Sequence, residues 1–262
     1  MKMLRFTKWL PALAAALVVA ACGGGDDADD LADRLANAPP KVRLVHAGVF
    51  TGPLTLTRNG TAQPGVANVA YANASNYVDV PDGSAEWRVA TASDARVGST
   101  TLAPQRGTRY MFVAVPDFSL FGTQAELLLI TDPYDWGLTT ASARVRVLHA
   151  AANSQAPVDV YLTLNSTDIG SRSPHFANVG YKTANPASGS NSLDFAVGAG
   201  SHTLTIAPAG STSPIFQAPV SLANNADWLI TLLPDSIAPN DLRVLVVKSD
   251  DSGATQEIAN ML

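Results

Sequence analysis

The chain has 262 residues, 47% of them hydrophobic and only 15% charged, with a formal net charge of −5 at pH 7. That balance excludes a disordered polyelectrolyte and gives no electrostatic footprint for nucleic acid. The sole cysteine, Cys22, excludes an intrachain disulfide framework, so any fold here rests on burial.

Lys2, Arg5 and Lys8 precede the apolar stretch Leu10 to Val19, and Val19-Ala20-Ala21 sets small residues before Cys22. This order is that of a secretory signal peptide. The apolar run from Trp9 to Ala21 is too short to cross a bilayer, which takes about 20 residues. The segment resembles bacterial lipoprotein precursors. The resemblance implies that residues 1–21 are removed and that Cys22 is acylated on its thiol and its new amino terminus. Each buried acyl methylene contributes about 0.8 kcal/mol, so the acyl chains make the membrane the first expected partner. Losing the three cations takes the net charge from −5 to −8. Gly23-Gly24-Gly25 and Asp26, Asp27, Asp29 and Asp30 then form an acidic tether, so residues 22–40 read as anchor plus spacer. The aspartates read as solvated linker, because a calcium site needs a loop that fixes its ligands. By the same resemblance, Gly23 rather than Asp after the cysteine implies the outer membrane of a Gram-negative bacterium.

From residue 41 the chain repeats itself. Lys41-Val42-Arg43-Leu44-Val45-His46-Ala47 returns as Arg144-Val145-Arg146-Val147-Leu148-His149-Ala150, and Ala67-Asn68-Val69-Ala70-Tyr71 as Ala177-Asn178-Val179-Gly180-Tyr181. Tyr110 to Asp117 matches Trp228 to Asp235, and Leu127 to Asp132 matches Val244 to Asp250 with one extra residue. Matches in preserved order mark a duplication. Its copies span 41–132 and 143–250, with a linker at 133–142 and a C-terminal tail at 251–262.

Within each copy the period is two. Val42, Leu44 and His46 alternate with Arg43 and Val45, and Val158, Val160 and Leu162 with Asp159, Tyr161 and Thr163. Asn59-Gly60 and Asp82-Gly83 mark turns. Met111 to Val115 and Leu229 to Leu233 are apolar on both faces and belong in the middle of a sheet. About seven short strands per copy predict an all-β fold of two tandem antiparallel sandwiches, with a small closed barrel as the alternative.

The opening R-V-R-V-L-H-A, the P-V-D-V-Y of Pro157 to Tyr161 and the H-T-L-T-I-A-P-A-G of His202 to Gly210 resemble the bacterial DUF4397 domain. The second copy is the closer match; the first has Leu54-Thr55-Leu56 in place of V-D-V-Y. The resemblance implies tandem immunoglobulin-like β domains on secreted or lipid-anchored proteins, and no established activity.

Chemistry-bearing residues are sparse. His46 and His149 are repeat equivalents at a strand end, where an imidazole bonded to a backbone carbonyl is favoured over a metal ligand or general base. The repeated carboxylates Asp79 and Asp194, and Asp117 and Asp235, sit where aspartate caps backbone amides. No catalytic residue, cofactor or metal site is expected. Phe118, Phe121, Tyr134 and Trp136 are the candidate binding surface, although for Tyr134 and Trp136 filling the interface between the copies is favoured over contacting a partner. The expectation is therefore a lipid-anchored, non-catalytic envelope protein with a binding or scaffolding role and an envelope protein or glycan as partner. An envelope hydrolase acting on glycan or peptide is the rival.

Overall fold

The computed structural model describes residues 36–49, 52–93, 96–117, 124–133, 142–164, 168–190, 193–196, 201–222, 226–235, 238, 241–248 and 255–262. The first copy supplies β1 (Lys41–His46), β2 (Leu54–Arg58), β3 (Thr61–Ala62), β4 (Asn73–Ala74), β5 (Val78–Asp79), β6 (Ala85–Thr91), β7 (Arg96–Leu102), β8 (Thr108–Asp117) and β9 (Gln124–Pro133). The second supplies β10 (Ser142–His149), β11 (Val158–Leu164), β12 (Phe176–Val179), β13 (Ala184–Asn185), β14 (Leu193–Ala196), β15 (His202–Pro208), β16 (Phe216–Val220), β17 (Asp227–Pro234), β18 (Leu242–Lys248) and β19 (Thr255–Ala259).

Each copy folds into two sheets. An inner sheet runs β4-β1-β8-β9 in the first copy, with β5 also on β1, and an outer sheet runs β3-β2-β6-β7. In the second copy the inner sheet is β13-β10-β17-β18-β19, with β14 also on β10, and the outer sheet is β12-β11-β15-β16. The topology repeats at the level of register. Val42 pairs with Val78 and Val45 with Ala74, as Val145 pairs with Leu193 and Leu148 with Ala184.

Alternation along the central strands builds three cores. In the first copy Val42, Leu44, Tyr110 and Phe112 meet Leu54, Leu56 and Trp87 of the outer sheet. In the second, Val145, Trp228 and Ile230 meet Val160, Leu204 and Phe216. The opposite faces of the same strands carry Val45, Met111, Val113, Leu148, Leu229, Leu233 and Val247, which pack the two inner sheets against each other. The layers are therefore outer, inner, inner, outer. This explains why β8 and β17 are apolar on both faces, and each fully buried aliphatic contributes about 1.5–3 kcal/mol.

The all-β sandwich architecture is as expected, with separate sheets in each copy rather than one closed barrel. Two features differ from the expectation. The sandwiches are not purely antiparallel, because β1 runs parallel to β8, and β10 to β17. The whole outer sheet lies between those strands in sequence, which supplies the long crossover that parallel pairing needs. The C-terminal segment read as a tail also folds: β19 extends the inner sheet along β18, buries Ile258 and lets Met261 N–H donate to Gln217 O. Its alternation is short and mostly polar, so its pattern reads as tail. The Asn59-Gly60 turn closes the β2–β3 hairpin as predicted, with both residues left-handed at φ 50° and 80°.

Candidate functional site at the seam between the copies

The seam where the inner sheets meet is held by reciprocal contacts between equivalent residues. Tyr71 Oη donates to Pro234 O at 2.6 Å, and Tyr181 Oη, its repeat equivalent, donates to Pro116 O at 3.1 Å. Each tyrosine thus bonds the far end of the other copy's central strand. Such contacts, residue i to j and j to i, define a two-fold interface, here within one chain. Burial raises the Tyr71 phenol well above its ordinary range, with Glu257 adding to the effect, so the hydroxyl stays a donor.

The repeated histidines support these tyrosines. His46 Nδ1 accepts from Gly48 N–H at 3.2 Å while Nε2 donates to Gly52 O at 3.1 Å. His149 does the same with Ala151 N–H at 3.3 Å and Ala156 O at 3.1 Å. A backbone N–H aimed at Nδ1 assigns the proton to Nε2 in both rings. The ring edges meet Tyr71 and Tyr181 at centroid distances of 5.9 and 5.8 Å. Burial pushes the His149 imidazole below its ordinary value, which keeps it neutral. The turns that present the tyrosines are left-handed at the next residue, Ala72 (φ 55°) and Lys182 (φ 61°), whose N–H groups donate to His46 O and His149 O.

The V-D-V-Y aspartate is also structural. Asp159 accepts from Asn178 N–H at 2.7 Å and Gly210 N–H at 2.8 Å, tying β11 to two left-handed turns. In the first copy Thr55 Oγ1 accepts from Asn68 N–H, the equivalent donor, at 3.1 Å. The divergent Leu54-Thr55-Leu56 segment therefore keeps one of the two bonds.

At the other end of the seam lies a buried charge cluster. Arg146 Nη2 donates to Asp132 Oδ1 at 2.6 Å and to Ser190 O, and Nη1 to Pro186 O and Ala187 O at 2.5 and 2.6 Å. Its equivalent, Arg43, donates to Ser75 O and, across the seam, to Lys248 O at 2.8 Å, with its guanidinium 4.2 Å from the Tyr77 ring centroid. Asp227 accepts from both Arg109 and Arg144 at 3.0 Å. Burial raises the Asp132 carboxyl while Arg146 opposes it, and burial pushes the Tyr77 phenol up to about 12. The charge pair Arg109–Asp227 joins the starts of β8 and β17, and the Tyr–Pro bonds lie at their ends, so these strands run in the same sense.

Cys22, Phe118, Phe121, Tyr134 and Trp136 lie outside the described residues. The described strand ends that flank the aromatics are far apart. Asp117 pairs with Gln124 and Thr108 with Pro133, at opposite ends of a ten-residue ladder roughly 30 Å long. Of the repeated acids, Asp235 is bound to Arg243 and caps Ala238 N–H, and Asp79 is exposed. Among the described residues, no three His, Cys, Asp or Glu side chains gather as a metal site would require. The residue types of Tyr71, Tyr181, Arg43 and Arg146 do not by themselves mark them out in the sequence. Their recurrence in both copies was the available signal.

Residues 40–161 match the family model described as a domain of unknown function, DUF4397. The match takes in the first copy and ends at Tyr161, within β11 of the second. The motifs carrying the resemblance sit mainly in the second copy, so the matched span falls more on the divergent copy than they led one to expect. No curated protein matches the chain. A solved chain from work on α-glucan recognition by family 41 carbohydrate-binding modules of streptococcal virulence factors aligns at 11% identity, over 77% of this chain and 95% of its own, with a TM-score of 0.25. A likeness at that level carries no argument.

Proposed function

We propose that this protein is a lipid-anchored, non-catalytic component of the bacterial envelope that displays two DUF4397-type β domains as one rigid binding or scaffolding block. Acyl chains on Cys22 hold it at the outer membrane, and the acidic tether up to residue 40 spaces it from the surface. The observation that carries this reading is the use made of the repeated polar residues. His46, His149, Tyr71, Tyr181, Thr55 and Asp159 are all engaged in fixing backbone or joining the copies, as a rigid display module requires.

The tether arrives at one known end. Gly107 N–H donates to Ala38 O, Val80 N–H to Pro40 O and Arg106 to Asn37 O, all beside the start of β8. The contact surface for an envelope protein or glycan is carried by Phe118, Phe121, Tyr134 and Trp136.

The test is a palmitate-analogue label combined with crosslinking in intact cells and mass spectrometry. Label that disappears in Cys22→Ala, with a partner lost in Phe118→Ala/Phe121→Ala, is the expected result. Label retained in Cys22→Ala refutes the anchor. A partner that persists in the double aromatic variant refutes the surface.

A further inference from the structure

Arg109 and Asp227 occupy the same position in the two copies. Each precedes the repeated central strand, and each pairs with the first residue of the repeated opening motif, Lys41 or Arg144. They meet across the seam, Nη2 to Oδ2 at 3.0 Å, with their side chains 12% and 14% exposed. Arg144 donates to the same carboxylate oxygen at 3.0 Å.

In an interface with reciprocal contacts, a residue on the axis faces its own equivalent. Two first copies packed this way would set Arg109 against Arg109, with Lys41 and Asp132 of each copy at the paired positions of the neighbouring strands. Two second copies would set Asp227 against Asp227, each still paired with Arg144 of its own copy and without the second cation that Arg109 supplies. Like charges held together away from water oppose association, and unlike charges favour it. The apolar core of the seam and the Tyr–Pro bonds are the same in either direction and carry no such preference. Discrimination between partners needs a repulsive element as well as an attractive one. This pair supplies both.

We propose that Arg109 and Asp227 are the specificity pair of the seam, making the inner sheet of each copy a docking surface for the unlike copy alone. The permitted partners are then the other copy in the same chain, or the unlike copy of a second chain after exchange. Pairing of first copy with first is opposed by the two Arg109 charges, and pairing of second with second forfeits the cross-seam bond to Asp227. The duplication has thus turned a self-complementary surface into a directed one, and this holds whatever the protein binds in the envelope.

The test uses the full chain in mild detergent at low salt. Arg109→Asp and Asp227→Arg each place like charges across the intramolecular seam, and each is expected to lower Tm by roughly 5–10 °C. The double variant restores opposite charges and is expected to recover much of that loss. Recovery stops short of complete because Arg144 then lies against the guanidinium introduced by Asp227→Arg. The two single variants, unfolded and refolded as a mixture, are expected to give a dimer by native mass spectrometry that neither forms alone, since exchange re-creates opposite charges at both seams. Should the reversed chains fail to fold singly, Arg109→Gln and Asp227→Asn provide the same cycle with milder losses. Tm losses that simply add in the double variant overturn the proposal, as does a mixture with no more dimer than the separate chains.

Discussion

Where the second copy carries Asp159, bonded to two backbone amides, the first carries Thr55, bonded to one; where the second carries Asp227, the first carries Arg109. Between these substitutions the ladders, the left-handed turns and the His–Tyr contacts coincide. The comparison shows two kinds of position. Thr55, which holds its own copy's backbone, accepts from the amide equivalent to one of the two that Asp159 binds. Arg109 and Asp227, at equivalent positions on the seam, are opposite in sign and pair with each other.

The comparison is broken most severely at the arginines of the opening motif. Arg146→Met leaves Asp132 buried without its partner and strips three carbonyls, so it is expected to cost about 3–5 kcal/mol in denaturant unfolding. Arg43→Met removes the bonds to Ser75 O and Lys248 O and the contact with the Tyr77 ring, but strands no buried carboxylate partner like Asp132, and is expected to cost about 1–3 kcal/mol. Equal costs would deny that the second copy depends more on its arginine. At the V-D-V-Y position, Asp159→Ala is expected to lose about 2–3 kcal/mol and Thr55→Ala about 1 kcal/mol, with Asp159→Thr in between. A Thr55 loss as large as that of Asp159 would break the equivalence of one bond against two. Tyr71→Phe and Tyr181→Phe each remove one seam bond and are expected to cost about 0.5–1.5 kcal/mol.

The mildest effect is on pH dependence. His149 is held neutral by burial, so it takes up a proton only on unfolding. The unfolded chain then binds more protons than the fold below the unfolded histidine value. Stability should be level above about pH 6.5 and fall as the pH drops, with a slope of up to about 1.4 kcal/mol per unit from this residue. His175 and His202, also lowered by burial, act in the same direction. His149→Gln should flatten the profile; an unchanged slope would show that His149 has no part in it.

Period-two alternation and the four repeated motifs made the all-β duplication legible, and the two-faced apolar runs of β8 and β17 announced a buried sheet. What those runs could not say is that their second faces meet each other, since an apolar face carries no address. The parallel pairing of β1 with β8 was hidden because alternation is the same for either strand direction. Thr55 hid its kinship with Asp159 because the shared property is an acceptor at one point, not a charge.

The seam between the copies is tested most directly by zero-length carbodiimide coupling of the unmodified protein. Lys182 Nζ of the second copy contacts Glu126 Oε2 of the first at the rim of the seam. The expected result is an amide crosslink between peptides containing these two residues, recovered from protein of monomer mass. A monomer lacking that crosslink, while the same reaction couples other lysines of the protein, would contradict the face-to-face pairing of the inner sheets.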